Sequence, residues 1–267
     1  MASHVFEDMD RTSDSAGIPY RLREADDSTQ LTKTLAARPE SEVRFIAATG
    51  RKKATALKEL TQKYPGRVVF MPLDTTDDAS VKAAVKEVER LLGPNGGLDV
   101  LINNAGVLNL TPGGIENMAD LMSTLEINVN GPQRVTAAFV PLLRKGSRKL
   151  IVNVSSTLGS MTFAKYFQVQ PAPAYKVSKA ALNMLTVQWA LALANEGFTV
   201  IAVSPGWLKT DLGSEAADLP VEVGVGAVLD IVEHTTKEQN GKFFDIHVPG
   251  DWRLGELQLY QGGEAPW

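Results

Sequence analysis

Apolar positions along this chain fall in short unbroken runs, and stretches of helical spacing separate the runs. Val43–Ala48 is a compact apolar run closed by Thr49-Gly50, which reads as a strand. Lys53–Tyr64 then places Leu57, Leu60 and Tyr64 on one helical face and stops at Pro65-Gly66. The pattern repeats: Arg67–Leu73 reads as a strand ending at Asp74, and Asp77 or Asp78 caps a helix whose buried side carries Val81, Val85 and Leu91-Leu92. Further strands are predicted over Leu98–Asn103, Lys149–Ser155, Phe198–Val203 and Gly241–Val248. Further helices are predicted over Asn117–Leu143 and over Ala174–Asn195, the latter closed by Gly197. Upstream, Asp27 reads as a helix N-cap with Gln30 three residues on, and the Leu31/Leu35 face must stop before Pro39. Strands that are apolar throughout and alternate with helices predict an α/β fold. It is a Rossmann-like doubly wound parallel sheet covered on both faces, with ligands at the carboxyl ends of its strands.

The start of the chain breaks this pattern. Residues 1–30 hold ten apolar residues, seven acids and one glycine, Gly17. The expectation is a polar leader over 1–26, a candidate for disorder, and one domain over 27–267. Composition narrows the function classes. A net charge of −4 offers no basic field for a nucleic-acid backbone or an anionic membrane. The absence of cysteine removes disulfides, thiolate zinc sites and thiol nucleophiles, and three scattered histidines (His4, His234, His247) do not form a metal site. Apolar runs such as Trp189–Ala194 are far shorter than the roughly 20 residues of a membrane span. No secretory signal is visible, so the expected setting is cytoplasmic.

Candidate chemistry sits at the predicted strand ends. Tyr175-Lys-Val-Ser-Lys179 puts a phenol and an ammonium four residues apart on one helix face, and a nearby cation favours the phenolate. Such a tyrosine can exchange a proton near neutral pH, as carbonyl–alcohol interconversion requires. The spacing alone is weak, because an exposed helix pair looks the same. Its surroundings are more specific. Asn103-Asn104-Ala105-Gly106, Ser155-Ser156 and Ser204-Pro205-Gly206-Trp207-Leu208-Lys209-Thr210-Asp211 each follow a strand, at the place where this kind of sheet binds ligands. Taken singly, each admits a bland alternative: a turn at Asn103-Asn104 or Pro205-Gly206, a plain strand end at the serines, a capping or turn aspartate at Asp74.

Together these segments, in this order, resemble the short-chain dehydrogenase/reductase family over roughly residues 27–267. Within it they are most similar to ketoreductases of fungal polyketide pathways and related carbonyl reductases. That likeness is echoed in Gly241-Lys-Phe-Phe-Asp-Ile-His-Val-Pro-Gly250 and the final Ala-Pro-Trp267. The resemblance implies Tyr175 as acid/base and Lys179 as the group that supports it and holds the nicotinamide ribose. It implies Ser156, with Ser155 as the alternative, as the hydroxyl that polarises the carbonyl, and Asn128 as support for a water relay to the lysine. Asn104, Ala105 and Gly106 would lie along the cofactor ribose, Asp74 would touch the adenine, and Pro205, Gly206, Leu208 and Thr210 would hold the carboxamide and phosphates. The implied reaction is hydride exchange between a nicotinamide cofactor and a small-molecule ketone or secondary alcohol, in a dimer or tetramer built through the long helices. Arg51-Lys52-Lys53, with no acid at that strand end, favours NADP(H) over NAD(H), although a solvated charge run reads equally well. Leu212–Val225 is read as a loop covering the substrate, and Trp207 as core or pocket lining.

One departure stands out. The family's glycine-rich phosphate turn, Thr-Gly-x-x-x-Gly-x-Gly, belongs at about residues 21–28, which read Arg-Leu-Arg-Glu-Ala-Asp-Asp-Ser. Backbone cannot approach a diphosphate closely there, and carboxylates repel it. The strand before it, sought at Ala16–Leu22, contains Pro19 and Arg21. The alternative expectation is therefore a weakly active or silent relative that serves as a binding or scaffold protein. A serine hydrolase is a distant third, lacking both a Gly-x-Ser-x-Gly elbow and a placed histidine.

Overall fold

Strand β1 (Ala2–Asp8) leads to helix α1 (Asp26–Ala36), then β2 (Val43–Gly50), α2 (Thr55–Lys63), β3 (Val68–Pro72) and α3 (Asp78–Leu92) in a computed structural model that describes residues 2–8 and 26–267. The second half continues through β4 (Val100–Asn103), α4 (Leu121–Leu125), α5 (Gly131–Lys145), β5 (Leu150–Val154), α6 (Pro173–Leu193), β6 (Thr199–Ser204), α7 (Val221–His234) and β7 (Phe243–Asp245). A small antiparallel hairpin, β8 (Arg253–Leu254) with β9 (Leu257–Gln258), follows. The seven long strands form one parallel sheet in the order β3-β2-β1-β4-β5-β6-β7. This is the α/β doubly wound architecture that the sequence predicts.

Successive strand residues feed opposite cores, as the pleat requires. Val100, Ile102, Leu150, Val152, Ile201 and Val203 pack with Leu31 and Leu35 of α1, Leu57 and Leu60 of α2, and Val225, Val228 and Leu229 of α7. Leu101, Ile151 and Val200 pack on the other face with Val81 and Val88 of α3, Val135, Phe139 and Leu142 of α5, and Leu193 of α6. Each such side chain contributes roughly 1.5–3 kcal/mol by leaving water.

The structure differs from the sequence reading in four places. First, the central strand is Ala2–Asp8, inside the stretch read as a leader, and it pairs with β2 and with Val100–Ile102 of β4. His4, Glu7 and Asp8 make it too polar to recognise as a central parallel strand. Residues 16–22, where that strand was sought, lie outside the described residues, as does most of the expected phosphate turn. Second, residues 221–225 are not loop but the first turns of α7, whose Gly224 and Gly226 lower its apparent helix propensity. Gly224 is required there: a Cβ would lie 2.2 Å from Leu208 Cδ2 and 2.9 Å from the Pro205 carbonyl. Third, the last sheet strand shrinks to Phe243–Asp245. Fourth, the helix predicted from Asn117 starts at Leu121 and widens into a π-type turn at Glu126–Asn130 before α5. Arg134 braces that turn, donating to Glu126, Asp78 and the Thr75 carbonyl. Such bulges often carry functional side chains, and this one carries Asn128.

Candidate active site

Pro173 at the first helical position starts α6, which places Tyr175 and Lys179 one turn apart. Both are buried, at 6% and 3% exposure, and Lys179 Nζ lies 5.4 Å from the Tyr175 ring centroid. Nζ also donates to the Val154 carbonyl at 2.7 Å, which ties the ammonium to the end of β5.

The two adjacent serines behave differently. Ser155 is buried and gives its proton to Asn183 Oδ1 at 2.5 Å, so its hydroxyl is spent inside the protein. Ser156 is half-buried and N-caps the short 3₁₀ turn Thr157–Gly159, its Oγ accepting from Leu158 N–H at 3.2 Å. An oxygen that accepts there keeps its own O–H for an outside acceptor. The turn is pressed onto α6: a Cβ on Gly159 would come within 2.7 Å of the Lys179 backbone carbon.

Asn128 is fully buried with all its amide groups engaged. Oδ1 accepts from Val107 N–H at 2.7 Å, while Nδ2 donates to the Val107 carbonyl and to Ser178 Oγ, both at 2.9 Å. It clamps the segment after β4 onto α6 beside Lys179. Gly106 completes the corner, since a Cβ there would sit 3.4 Å from both Asn128 Oδ1 and Lys179 Nζ. Ala105 is buried beside it, and Asn104 Nδ2 donates to Ser28 Oγ of α1 at 2.7 Å.

The remaining sequence-predicted residues frame the strand ends. Asp74 Oδ1 accepts from the Thr76 N–H at 2.9 Å and the Thr76 hydroxyl at 2.7 Å. Burial opposes ionisation, but these bonds and the charges of Arg51 and Arg134 hold its carboxyl below the usual range. Pro205 and Gly206 (φ +81°) turn the chain out of β6, where a Cβ on Gly206 would meet Ile246, Leu219 and Tyr260. Leu208 is buried, and Thr210 Oγ1 accepts from Gly213 N–H at 3.0 Å, closing the loop on itself. Trp207 is partly exposed, its indole N–H bound to the Gly213 carbonyl at 2.7 Å, and its backbone N–H donates to Tyr260 Oη. Burial and the Asp218 carboxylate, which accepts from Tyr260 Oη at 2.7 Å, push that phenol well above its ordinary range.

Sequence reasoning missed Ser178, Asn183, Ser204 and Tyr260 as supports of this site. Ser178 and Asn183 recur near Tyr175 at helical intervals, a signal that could have placed them facing the β5 end. Nothing in the sequence signals Tyr260, which is far from the motifs.

A nicotinamide cofactor fits this donor set in one half. Gly106, by lacking a Cβ, leaves space beside the Lys179 ammonium, which itself lies beside the Tyr175 ring. Arg51, Lys52 and Lys53 follow β2, with the two arginine-side positions exposed. The diphosphate half is different, because α1 opens on Asp26-Asp27-Ser28 and supplies no glycine. Between α1, α7 and the β6 loop remains a cavity of about 10 Å³ lined by Leu31, Asn104, Val154, Pro205, Leu208, Val225 and Val228, room for one water. Among the described residues no three His, Cys, Asp or Glu side chains group to hold a metal ion, and no helix is long and apolar enough to cross a membrane.

A family profile described as short chain dehydrogenase matches residues 29–219. The C-signal protein of Myxococcus xanthus is 39% identical over 173 residues, covering 64% of this chain and 94% of its own. The short-chain dehydrogenase/reductase AacuF of Aspergillus aculeatus is 31% identical over 208 residues, covering 66% and 77%. Among solved structures, an NADPH-bound carbonyl reductase from chicken fatty liver superposes with a TM-score of 0.80 at 28% identity, covering 99% of this chain and 94% of that one. The fold and the strand-end site define a Rossmann-type oxidoreductase. The chain belongs to the short-chain dehydrogenase/reductase family, the NAD(P)-dependent enzymes that act on small molecules.

Proposed function

We propose that the chain is an NADPH-dependent ketoreductase of secondary metabolism that reduces a ketone, or oxidises the corresponding secondary alcohol, through Ser156, Tyr175 and Lys179. What supports this reading is that Lys179 lies beside the Tyr175 ring and the Gly106 backbone, and that the turn capped by Ser156 is pressed onto α6 at Lys179. The cofactor, when bound, supplies a hydride to the carbonyl carbon. Ser156 donates its unspent O–H to the carbonyl oxygen and holds the charge that develops there. Tyr175 delivers the proton to that oxygen, and the Lys179 ammonium stabilises the negative charge left on the phenol oxygen. Asn128 keeps the segment after β4 and α6 in register, so that Gly106 stays beside Lys179. Asn104, Ala105, Pro205, Gly206, Leu208 and Thr210 would border the cofactor, with Asp74 on its adenine side. Arg51 and its lysine neighbours suit a 2′-phosphate, and the NADPH bound to the chicken carbonyl reductase supports the same preference.

Purified protein supplied with NADPH and a panel of aryl and polyketide-like ketones should oxidise the cofactor, and Tyr175→Phe should lower turnover about a hundredfold or more. Turnover that survives this substitution unchanged overturns the assignment. NADH should serve less well, and Arg51→Ala should narrow the difference.

A second reading has its own support in the Asp26-Asp27-Ser28 start of α1, where two acids occupy the helix end that would face a diphosphate. On that reading the protein is a catalytically silent binding or scaffold relative. Tight, stoichiometric NADPH binding in a calorimetric titration decides against it.

A further inference from the structure

We propose that Asp245 is a positioning residue for Ser156, acting through the Ser204 hydroxyl and the backbone amide of Thr157. The inference rests on the ketoreductase reading of Ser156 and adds to it a residue from the far edge of the sheet.

The linkage follows from strand register. Ser204 and Asp245 are the last residues of β6 and β7 and are direct partners in the parallel ladder, so their side chains share a face. Ser204 is buried, and its hydroxyl is one of the groups that favour the ionised form of the Asp245 carboxylate beside it. Ser204 Oγ accepts from Thr157 N–H at 3.2 Å, which leaves its own proton to turn toward the Asp245 carboxylate on the neighbouring strand. Thr157 is the first residue of the 3₁₀ turn that Ser156 caps. That N–H has no partner within its own short turn, and Ser204 supplies one from the neighbouring strand. The Ser156 backbone is therefore fixed on two sides, by Ser204 against Thr157 and by Gly159 against Lys179.

Asp245 is not a surface carboxylate. Its Oδ1 is buried and has no hydrogen-bond partner. Burial is the largest influence on it and pushes the carboxyl up to about 6, against the Ile246 and Tyr260 N–H groups and the Ser204 hydroxyl, which favour its ionised form. The other titratable groups around it are the Tyr260 phenol with Asp218 behind it, Glu264 in its ion pair with Lys242, and His247 bound to the Gln261 carbonyl. From β6 and the 3₁₀ turn come only the neutral Ser204 and Thr157. Once protonated, Asp245 can offer its own hydrogen to Ser204 Oγ and compete there with Thr157 N–H.

The test compares wild type with Asp245→Asn, Ser204→Ala and Ser204→Thr, all as full chains. Amide exchange of the peptide spanning Thr157 should quicken in Asp245→Asn and Ser204→Ala, and kcat for ketone reduction should fall roughly tenfold with unchanged NADPH affinity. Wild-type kcat should drop as pH falls through about 6, and that inflection should vanish in Asp245→Asn. Ser204→Thr keeps the hydroxyl and should resemble wild type. Wild-type exchange, kcat and pH profile in either Asp245→Asn or Ser204→Ala overturn the proposal, and the Ser204 pair decides alone if Asp245→Asn does not fold. A wild type that reduces no ketone overturns the ketoreductase reading instead, while the exchange measurement still decides the link from Asp245 to Thr157.

Discussion

Ser155 and Ser156 differ by one step along the chain and by everything in their surroundings. The first is sealed under α6 against Asn183, whereas the second caps an open turn with its proton unspent. Ser155→Ala should therefore destabilise the fold by about 1–3 kcal/mol, because the Asn183 carbonyl oxygen loses its donor in a place water does not reach. Denaturant unfolding reads this directly. Ser156→Ala should leave the unfolding midpoint nearly unchanged and lower kcat by roughly a hundredfold, the usual effect of removing one donor from a developing oxyanion. A variant pair with these two effects exchanged would reverse the roles given to the serines. The sequence could not separate them, because both follow a strand and neither periodicity nor composition says which hydroxyl the next helix covers. The Tyr175–Lys179 pair was legible for the opposite reason: a four-residue interval on a helix is a statement about geometry.

At the scale of elements, legibility followed apolar continuity. β2, β4, β5 and β6 are apolar runs and were found close to their observed limits, whereas β1 and α7 were not found. β1 carries too many polar residues for its central place, and α7 carries two glycines. Those glycines are not equivalent. A Cβ on Gly226 meets nothing within 4 Å, so Gly226→Ala should stabilise the protein by up to about 1 kcal/mol through helix propensity. Gly224→Ala should destabilise it by about 1–3 kcal/mol, because the new methyl overlaps Leu208 and the Pro205 carbonyl and drives α7 off the β6 loop. Thermal unfolding of the two variants should shift in opposite directions. Gly224→Ala should also weaken NADPH binding, since Pro205 and Leu208 belong to the loop proposed to border the cofactor.

At the scale of the molecule, the outer surface of α6 carries an exposed apolar stripe. Val177, Met184 and Leu191 recur at seven-residue intervals and remain exposed, at 44%, 59% and 68%. A stripe of this kind suits a second copy of the chain, and it supports the proposal of a dimer or tetramer. Met184→Lys should shift sedimentation toward the monomer while leaving the far-ultraviolet spectrum unchanged. An unaltered oligomer would place the contact elsewhere. The doubly wound class was readable even without β1, because continuous apolar strands separated by helices leave few other ways to bury both sheet faces.

The strand order carries a mechanical consequence. β2 and β3 hydrogen-bond to one another, β4 through β7 do the same, and within the sheet β1 is the strand that joins the two groups. The sheet is in effect two panels on one hinge pin, and the pin is a seven-residue polar segment at the edge of the sequence. On the pin's far side lie Tyr175, Lys179, Ser156 and the apparatus that aligns them. On its near side lies the basic end of β2 that would take the cofactor's phosphate. On the proposed ketoreductase reading the cofactor spans the two panels, so a change that unseats β1 should cost activity.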